Sequence, residues 1–200
     1  NGRIIPPIYE YTSFLFITTM TVIAYYDDTL YADRRIVTGA EGVGYAALAN
    51  KTKITIADDK TYAFLKEGGL LDKQSIDELS KLILKQIYCT DPKQLQELKK
   101  QHLLIWCHLF IGTNALFAIK GECFHVNALG AIKELPRDQL FVSGSGQAPF
   151  FADHQLGYSM DQIFHRVSKT TSLVSKEFDS LNIDTDLIEY SKPLSDYSQE

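Results

Sequence analysis

The chain of 200 residues is long enough to bury the core of one domain, and its 45% hydrophobic and 22% charged residues are ordinary globular values. A net charge of −5 argues against a nucleic-acid-binding surface, which would be basic. The pairs Arg34-Arg35 and Lys99-Lys100 are also too short to form a basic patch. The apolar run near the start falls short of the about 18 residues that a membrane span requires, so neither nucleic acid nor membrane is an expected partner.

Cysteine and histidine spacing gives no sign of a disulfide framework or a metal site. The three cysteines, Cys89, Cys107 and Cys123, show no Cys-x-x-Cys pair, and the five histidines show no zinc-binding spacing. We therefore predict reduced thiols, with Cys107 in the core because its surroundings read LLIWCHLFI. We expect neither a metal nor an organic cofactor.

Three regions differ in composition. Residues 1–20 are predicted to form an extension or propeptide-like arm, since Pro6-Pro7 favours an extended backbone and residues 8–17 are rich in aromatic and β-branched side chains. Residues 21–190 carry the patterns of a folded domain. Residues 191–200 are a polar tail.

The first part of the domain is predicted to consist of hairpins. Alternating and β-prone runs separated by paired aspartates indicate two of them, residues 21–26 with 29–32 and residues 51–56 with 61–65. Gly39, Gly42 and Gly44 predict a flexible loop between the hairpins. Their spacing differs from that of a phosphate-binding fingerprint.

Two helices are predicted next. A capping box from Ser75 to Glu78 precedes apolar residues at helical spacing through Ile87. Asp91 and Pro92 open a shorter helix that ends near residue 100. The apolar runs that follow predict a buried meander of three strands, residues 103–111, 115–119 and 123–126.

The last part combines a strand, a helix and a closing strand. Residues 140–143 predict a strand, and a second capping box at Ser159 begins a helix whose apolar face continues to Phe178. Residues 187–190 predict the last strand. Because strands and helices come in groups, the pattern favours an α+β fold in which two packed sheets carry helices on their outer faces.

Thr21 is the residue best suited to act as a catalytic nucleophile. As a first residue it would carry a hydroxyl and a free α-amine, and the amine would serve as general base for the hydroxyl. In this sequence Thr21 follows Met20. The alternative interpretation is a structural threonine at the head of a strand.

The chain resembles the β-type subunits of the proteasome and their bacterial and phage relatives, a family of N-terminal-nucleophile hydrolases. The resemblance runs from about Thr21 to Glu189 and depends on four segments in order: TVIAYYDDTLYADRR, KTKITIADDKTYAFLKEGG, FVSGSGQAPFFADHQLGYSMDQI and SKEFDSLNIDTDLIE. It implies a four-layer αββα sandwich. It also implies hydrolysis of peptide bonds with no cofactor.

The resemblance also implies roles for individual residues. Thr21 would be the nucleophile, Asp33 would orient a lysine, and Lys53 would be that lysine, with Lys51 as the alternative. The main-chain N–H of Gly68 would hold the oxyanion.

Three further positions follow from the later segments. Ser145 would contact the terminal amine, while Glu177 and Ser180 would occupy the family's closing Asp-x-x-Ser positions. The chain departs from the family pattern here, because Glu177 replaces the aspartate, and it departs again before Thr21, where Met20 replaces a glycine.

Two functional hypotheses remain open. The first is a threonine peptidase that becomes active when residues 1–20 are removed. The second is a catalytically silent protein of the same fold, which assembles as a homo-oligomer or with other virion proteins through its N-terminal arm. A cytoplasmic location fits both, and a virion location fits the second. A small-molecule binding module is a third class with no motif behind it.

Overall fold

The computed structural model describes residues 21–40, 44–50, 52–68, 71–110, 113–172 and 174–190. Within them it contains these strands and helices: β1 (Val22–Tyr26), β2 (Thr29–Asp33), β3 (Arg35–Ala40), β4 (Gly44–Asn50), β5 (Ile54–Ile56), β6 (Tyr62–Lys66), α1 (Lys73–Tyr88), α2 (Pro92–Phe110), β7 (Ala115–Ile119), β8 (Glu122–Val126), β9 (Ile132–Leu135), β10 (Phe141–Gly144), α3 (Gln147–Gln155), α4 (Met160–Thr170) and β11 (Phe178–Asn182).

A four-stranded antiparallel sheet has the order β10-β1-β2-β11. Its central hairpin, β1 and β2, is the one that the sequence predicts. The two turn residues, Asp27 and Asp28, have φ values of 46° and 55°, and such left-handed pairs match the twist of two-residue hairpins. The turn therefore sets the register in which Ile23 lies opposite Ala32.

A five-stranded antiparallel sheet has the order β5-β6-β7-β8-β9. Its first hairpin matches the second predicted hairpin. The two remaining strands, β3 and β4, pair with each other, and Gly39 lies opposite Tyr45. The loop predicted at Gly39 and Gly44 is therefore wrong for these two residues, which lie in strands. Strand pairing uses main-chain hydrogen bonds, so a residue without a side chain can take part in it.

Three hydrophobic clusters show how the elements pack. One contains residues from both large sheets, another joins α1 and α2 to the five-stranded sheet, and the third joins α3 and α4 to the four-stranded sheet. In β1, Ile23 and Tyr25 belong to the first cluster, whereas Val22 and Ala24 belong to the third. Both faces of β1 are buried, which explains why its sequence is almost entirely apolar.

Helix α1 begins at Lys73, two residues before the predicted capping box. Its N-cap is Asp72, whose side chain accepts a 2.9 Å hydrogen bond from the main-chain N–H of Ser75. The box predicted at Ser75 is therefore wrong, since Ser75 already lies inside the helix. Aspartate is among the best N-cap residues.

Helix α2 runs for 19 residues and contains most of the run that was predicted as a strand, residues 103–111. The apolar string hides a helical stripe, because His102 and Trp106 are buried while Leu103 and Leu104 are exposed. Cys107 is exposed as well, so its predicted place in the core is also wrong. A short apolar run does not by itself distinguish a strand from a helix.

Helix α4 has the predicted capping box, in which Ser159 and Gln162 bond reciprocally. The helix ends at Thr170, so the prediction that its face continues to Phe178 is wrong. Phe178 instead begins β11, the last strand among the described residues. The strand predicted for residues 187–190 is not formed.

Several predictions fall outside the described residues: the arm at 1–20, the tail at 191–200 and the alternative lysine, Lys51. In the part of the chain that is described, no helix combines the length and apolar character needed to cross a bilayer. In that same part, no three His, Cys, Asp or Glu side chains converge as metal ligands do.

Candidate active site

Thr21 lies immediately before β1 and is completely buried. Its carbonyl oxygen accepts a 3.0 Å hydrogen bond from the main-chain N–H of Ser145, which extends the pairing between β1 and β10 by one residue. Because side chains alternate along a strand, Thr21 shares the face of Ile23 and Tyr25. That face belongs to the cluster between the two large sheets.

Asp33 ends β2 beside Thr21 and is also fully buried. The register of β1 and β2 puts Asp33 opposite Val22. Asp33 Oδ1 accepts hydrogen bonds from the Thr21 hydroxyl at 2.5 Å and from the Val22 main-chain N–H at 2.8 Å. These two hydrogen bonds hold the carboxylate against the Thr21 hydroxyl at the end of the hairpin.

Lys53 comes from the other sheet, one residue before β5, and is 4% exposed. Its ammonium group lies 2.8 Å from Asp33 Oδ1 and donates a hydrogen bond to Thr21 Oγ1. The three side chains therefore form one buried cluster that links the four-stranded and five-stranded sheets. Each of the three contacts the other two.

Two effects act on the Lys53 ammonium in opposite directions. Burial lowers the pKa of Lys53 below its usual value, and the negative charge of Asp33 opposes part of that decrease. A cation held against a hydroxyl oxygen stabilises the alkoxide that forms when the hydroxyl loses its proton. The Lys53 cation therefore favours loss of the proton from the Thr21 hydroxyl.

Ser175 is a site residue that the sequence analysis missed. It is 4% exposed, and its main-chain N–H donates to Asp33 Oδ2 at 3.2 Å, alongside the Arg35 main-chain N–H at 3.1 Å. Main-chain N–H groups therefore bind Asp33 Oδ2, while Asp33 Oδ1 accepts hydrogen bonds from the side chains of Thr21 and Lys53. Nothing in the local pattern marks Ser175, because its contribution is a main-chain group.

Glu177 and Ser180 lie farther along the same segment. Glu177 is exposed, and its carbonyl oxygen accepts the Arg34 main-chain N–H at 3.0 Å. Ser180 lies in the middle of β11, opposite Tyr31, and is exposed. The serine of this segment that contacts Asp33 is Ser175.

Two further predicted residues, Gly68 and Ser145, are positioned by the strands that precede them. Gly68 follows β6 with a φ of 81°, and the pairing of Ile54 with Leu65 puts it at the same end of the sheet as Lys53. The Ser145 side chain is exposed, and its contact with Thr21 runs through the main chain.

Gly144 explains why the turn after β10 carries a glycine. Its φ is 109°, in the left-handed half of backbone space that side chains avoid. A Cβ atom at this position would collide with the carbonyl oxygen of Thr21. A glycine is therefore needed for β10 to approach the threonine.

Comparisons with known proteins identify the fold. No family model matches the chain. No curated protein sequence matches it either. Among solved structures, the Gly-1 mutant of Anbu from Hyphomicrobium sp. strain MC1 has a TM-score of 0.53 and 16% identity, over 80% of each chain.

Two further solved structures are similar at lower scores. HslV from Trypanosoma brucei has a TM-score of 0.49 and 15% identity, covering 80% of this chain and 97% of its own. BPH from Thiobacillus denitrificans has a TM-score of 0.46 and 15% identity, covering 86% and 99%. The Anbu match carries the conclusion: this chain has a proteasome-like fold, shared with the Anbu structure.

Proposed function

We propose that this protein is a proteasome-like threonine hydrolase that cleaves peptide bonds through Thr21. The observation that carries the proposal is the contact of one buried hydroxyl with both a carboxylate and an ammonium group, Asp33 and Lys53, from different sheets. Activity requires removal of residues 1–20, because only then does Thr21 carry a basic amine. Such an amine has a pKa of about 7.7–8.0 and can be neutral near physiological pH.

In the proposed reaction the free amine of Thr21 takes the hydroxyl proton, and the oxygen bonds to the substrate carbonyl carbon. Lys53 stabilises the developing alkoxide, while Asp33 holds Lys53 in place. The peptide C–N bond then breaks, and the leaving amine takes the proton from the Thr21 ammonium. Water hydrolyses the remaining ester and frees the hydroxyl.

The other members of the proposed site have supporting roles. Gly68 would donate its main-chain N–H to the oxyanion, a contribution that is typically about 2.7–4 kcal/mol. Ser145 would act near the terminal amine, and Glu177 would take the place of the aspartate in the closing Asp-x-x-Ser positions. For the serine of the closing segment we propose two candidates, Ser180 from the resemblance and Ser175 from the structure. Ser175 is included because its main-chain N–H contacts Asp33.

We further propose that residues 21–190 form one domain with a four-layer αββα sandwich. The three hydrophobic clusters support this arrangement, because one lies between the sheets and the other two lie under α1 with α2 and under α3 with α4. The site then lies at the edge of the inner layer.

The test is made on the purified full chain. Mass spectrometry should show a mature species that begins at Thr21 and gains the mass of one peptide vinyl sulfone, an electrophile that a threonine alkoxide attacks. The Thr21→Ala variant should retain its fold and remain unmodified. Thr29→Ala, which changes a partly buried threonine at the hairpin turn, is the matched control and should react like the wild type.

A wild-type chain that keeps residues 1–20 and leaves the probe unreacted would refute the hydrolase. That result would support the second candidate, a silent assembly protein. One observation favours it: Thr21 follows Met20 in the sequence, so its nitrogen is an amide without a basic lone pair.

The second candidate would act as a homo-oligomer or with other virion proteins, in the cytoplasm or the virion. We would test it by removing residues 1–19 and measuring mass in solution. An assembly that survives this truncation would remove its main support.

A further inference from the structure

A second set of polar side chains, two of them buried and two half-buried, lies between the two large sheets. Its centre is Glu67, which follows β6 and is 3% exposed. One carboxylate oxygen accepts a hydrogen bond from the Ser143 hydroxyl, and the other accepts the Asn114 main-chain N–H at 3.2 Å. The Asn114 amide also donates to Ser143 Oγ at 3.1 Å, while His125 Nε2 lies 3.1 Å from Asn114 Oδ1. We call these four residues the Glu67 cluster.

The Glu67 cluster adjoins the candidate active site through β10. The register puts Ser143 opposite Ile23, and Ser145 contacts the carbonyl oxygen of Thr21. Ser143 is therefore the diagonal neighbour of Thr21, a relation that separates Cα atoms by about 7–8 Å. A displacement of Ser143 along the strand would move the Ser145 N–H that holds Thr21.

The cluster also adjoins Gly68 through the main chain. Glu67 is held at both ends, since its N–H donates to the Asn114 carbonyl oxygen at 3.0 Å and its side chain makes the bonds described above. Gly68 follows directly, in a left-handed conformation with a φ of 81°. The direction of the Gly68 N–H therefore depends on how Glu67 is held.

We propose that Glu67 is a positioning residue that sets the distance between the nucleophile and the oxyanion donor. Its carboxylate ties the strand that holds Thr21 to the segment that carries Gly68. The inference rests on the proposed hydrolase function and adds a residue to it. Lys53 and Asp33 link the two sheets on the nucleophile side, and Glu67 links them on the donor side.

The contacts of the Glu67 side chain suit a carboxylate, which accepts hydrogen bonds at both oxygens. The three groups named here that contact it, the Ser143 hydroxyl and the two N–H groups of Asn114, are all donors. A glutamine has the same shape but offers one oxygen and one NH2 group. Turned toward Asn114, its NH2 group would face N–H donors; turned toward Ser143, it would donate to the hydroxyl oxygen and leave the hydroxyl proton without its present acceptor. In either orientation the cluster loses one of its present hydrogen bonds.

The experiment compares Glu67→Gln with the wild type in the mature form that begins at Thr21. We expect kcat to fall about 10- to 100-fold while KM stays within about threefold, because a small misplacement of reacting groups acts on the transition state. Glu134→Gln, an exposed glutamate on β9, is the matched control and should leave both constants unchanged. Thermal unfolding confirms that each variant is folded.

Ser143→Ala removes the hydrogen bond between Ser143 and Glu67 by changing the donor instead of the acceptor. It tests the positioning role of Glu67 if Glu67→Gln does not fold. It should lower kcat in the same way, and the double variant should be no slower than Glu67→Gln alone. If the folded variants have the same kcat as Glu134→Gln, or differ from it only in KM, the positioning role of Glu67 is wrong. The proposed hydrolase function is unaffected by that result. An unprocessed and inactive wild type overturns the hydrolase and this inference with it.

Discussion

Two buried polar regions of this molecule are built in opposite ways. In the candidate active site, Thr21, Asp33 and Lys53 satisfy one another across two sheets. On α2, His102 is 1% exposed, packs edge-on against Trp106 with ring centroids 5.6 Å apart, and its Nε2 has no hydrogen-bond partner among the described residues. The first region holds charge inside the protein, whereas burial keeps the second neutral.

The difference shows what each region can contribute. A buried charge is tolerated only where a counter-charge and hydrogen bonds surround it, so the charged cluster depends on both sheets being in register. The lone histidine needs no counter-charge while it is neutral, and its burial lowers the pKa of His102 to about 4. Charge is thus retained where the proposed chemistry needs it.

Breaking the charged cluster should have the largest effect. Asp33→Asn keeps the shape but leaves the Lys53 ammonium buried without its counter-charge, which should lower the free energy of unfolding by about 3–5 kcal/mol. Urea denaturation at neutral pH measures the change. The double variant Asp33→Asn with Lys53→Met should recover much of the loss, and a double variant as unstable as the single one would contradict the pairing.

A surface ion pair provides the control for that experiment. Asp58 lies against Lys73 with its side chain 90% exposed. Asp58→Asn should therefore leave the urea midpoint essentially unchanged, because water already solvates both charges.

The close approach of β10 to Thr21 should be the next most sensitive feature. Gly144→Ala introduces a Cβ that collides with the Thr21 carbonyl oxygen at a left-handed φ, so we expect a loss of about 2–4 kcal/mol. Gly121→Ala has a similar φ of 76° and no atom within 4 Å of the new Cβ. It should cost only the conformational strain of about 1–2 kcal/mol.

Equal losses for the two alanine variants in urea denaturation would show that β10 does not press against Thr21. The mature Gly144→Ala enzyme should also react more slowly with the vinyl sulfone than the Gly121→Ala enzyme. The reason is that only the first substitution displaces the nucleophile.

The buried neutral His102 should make the free energy of unfolding depend on pH in the acid range. Because the pKa of His102 is about 4 in the folded state and 6.5 in the unfolded chain, only the unfolded state gains its proton between these values. Stability should therefore decrease as the pH falls from 6.5 to about 4, by roughly 3 kcal/mol at most from this group.

His102→Leu should lose this part of the acid dependence, measured as the difference between urea midpoints at pH 7 and pH 4.5. His165→Leu, on an exposed position of α4, removes a histidine without touching the buried one and serves as control. An acid dependence that is the same in His102→Leu and the wild type would show that His102 does not stay neutral.

The smallest effect is expected for an ion pair that belongs to neither region. Lys100 and Glu97 lie 3.5 Å apart on α2 with side chains 64% and 60% exposed. Lys100→Ala should change the free energy of unfolding by no more than about 0.5 kcal/mol. A larger change in urea denaturation would indicate that this face of α2 is not solvated.

Local patterns predicted much of the fold and failed where one pattern fits two structures. The paired aspartates predict the first hairpin because such turns match strand twist, and Ser159 predicts the start of α4 because its hydroxyl caps free N–H groups. The run at 103–111 was assigned to a strand although it lies mostly in α2. Only the burial of His102 and Trp106 on one face reveals the helix.

The candidate site was predictable in part. The resemblance names Thr21, Asp33 and Lys53, and the structure puts their polar atoms in contact. Ser175 was missed because a main-chain N–H leaves no mark in a sequence. Glu67 was missed because a single glutamate after a strand normally indicates a solvated turn.

By itself, the sequence determined the hairpins and the apolar runs of strands buried on both faces. These features depend on neighbouring residues and on main-chain geometry. Tertiary structure alone decided that a threonine and a lysine 32 positions apart would share one carboxylate. The physical reason is that their contact depends on how two sheets pack, and such packing depends on the whole core rather than on any one segment.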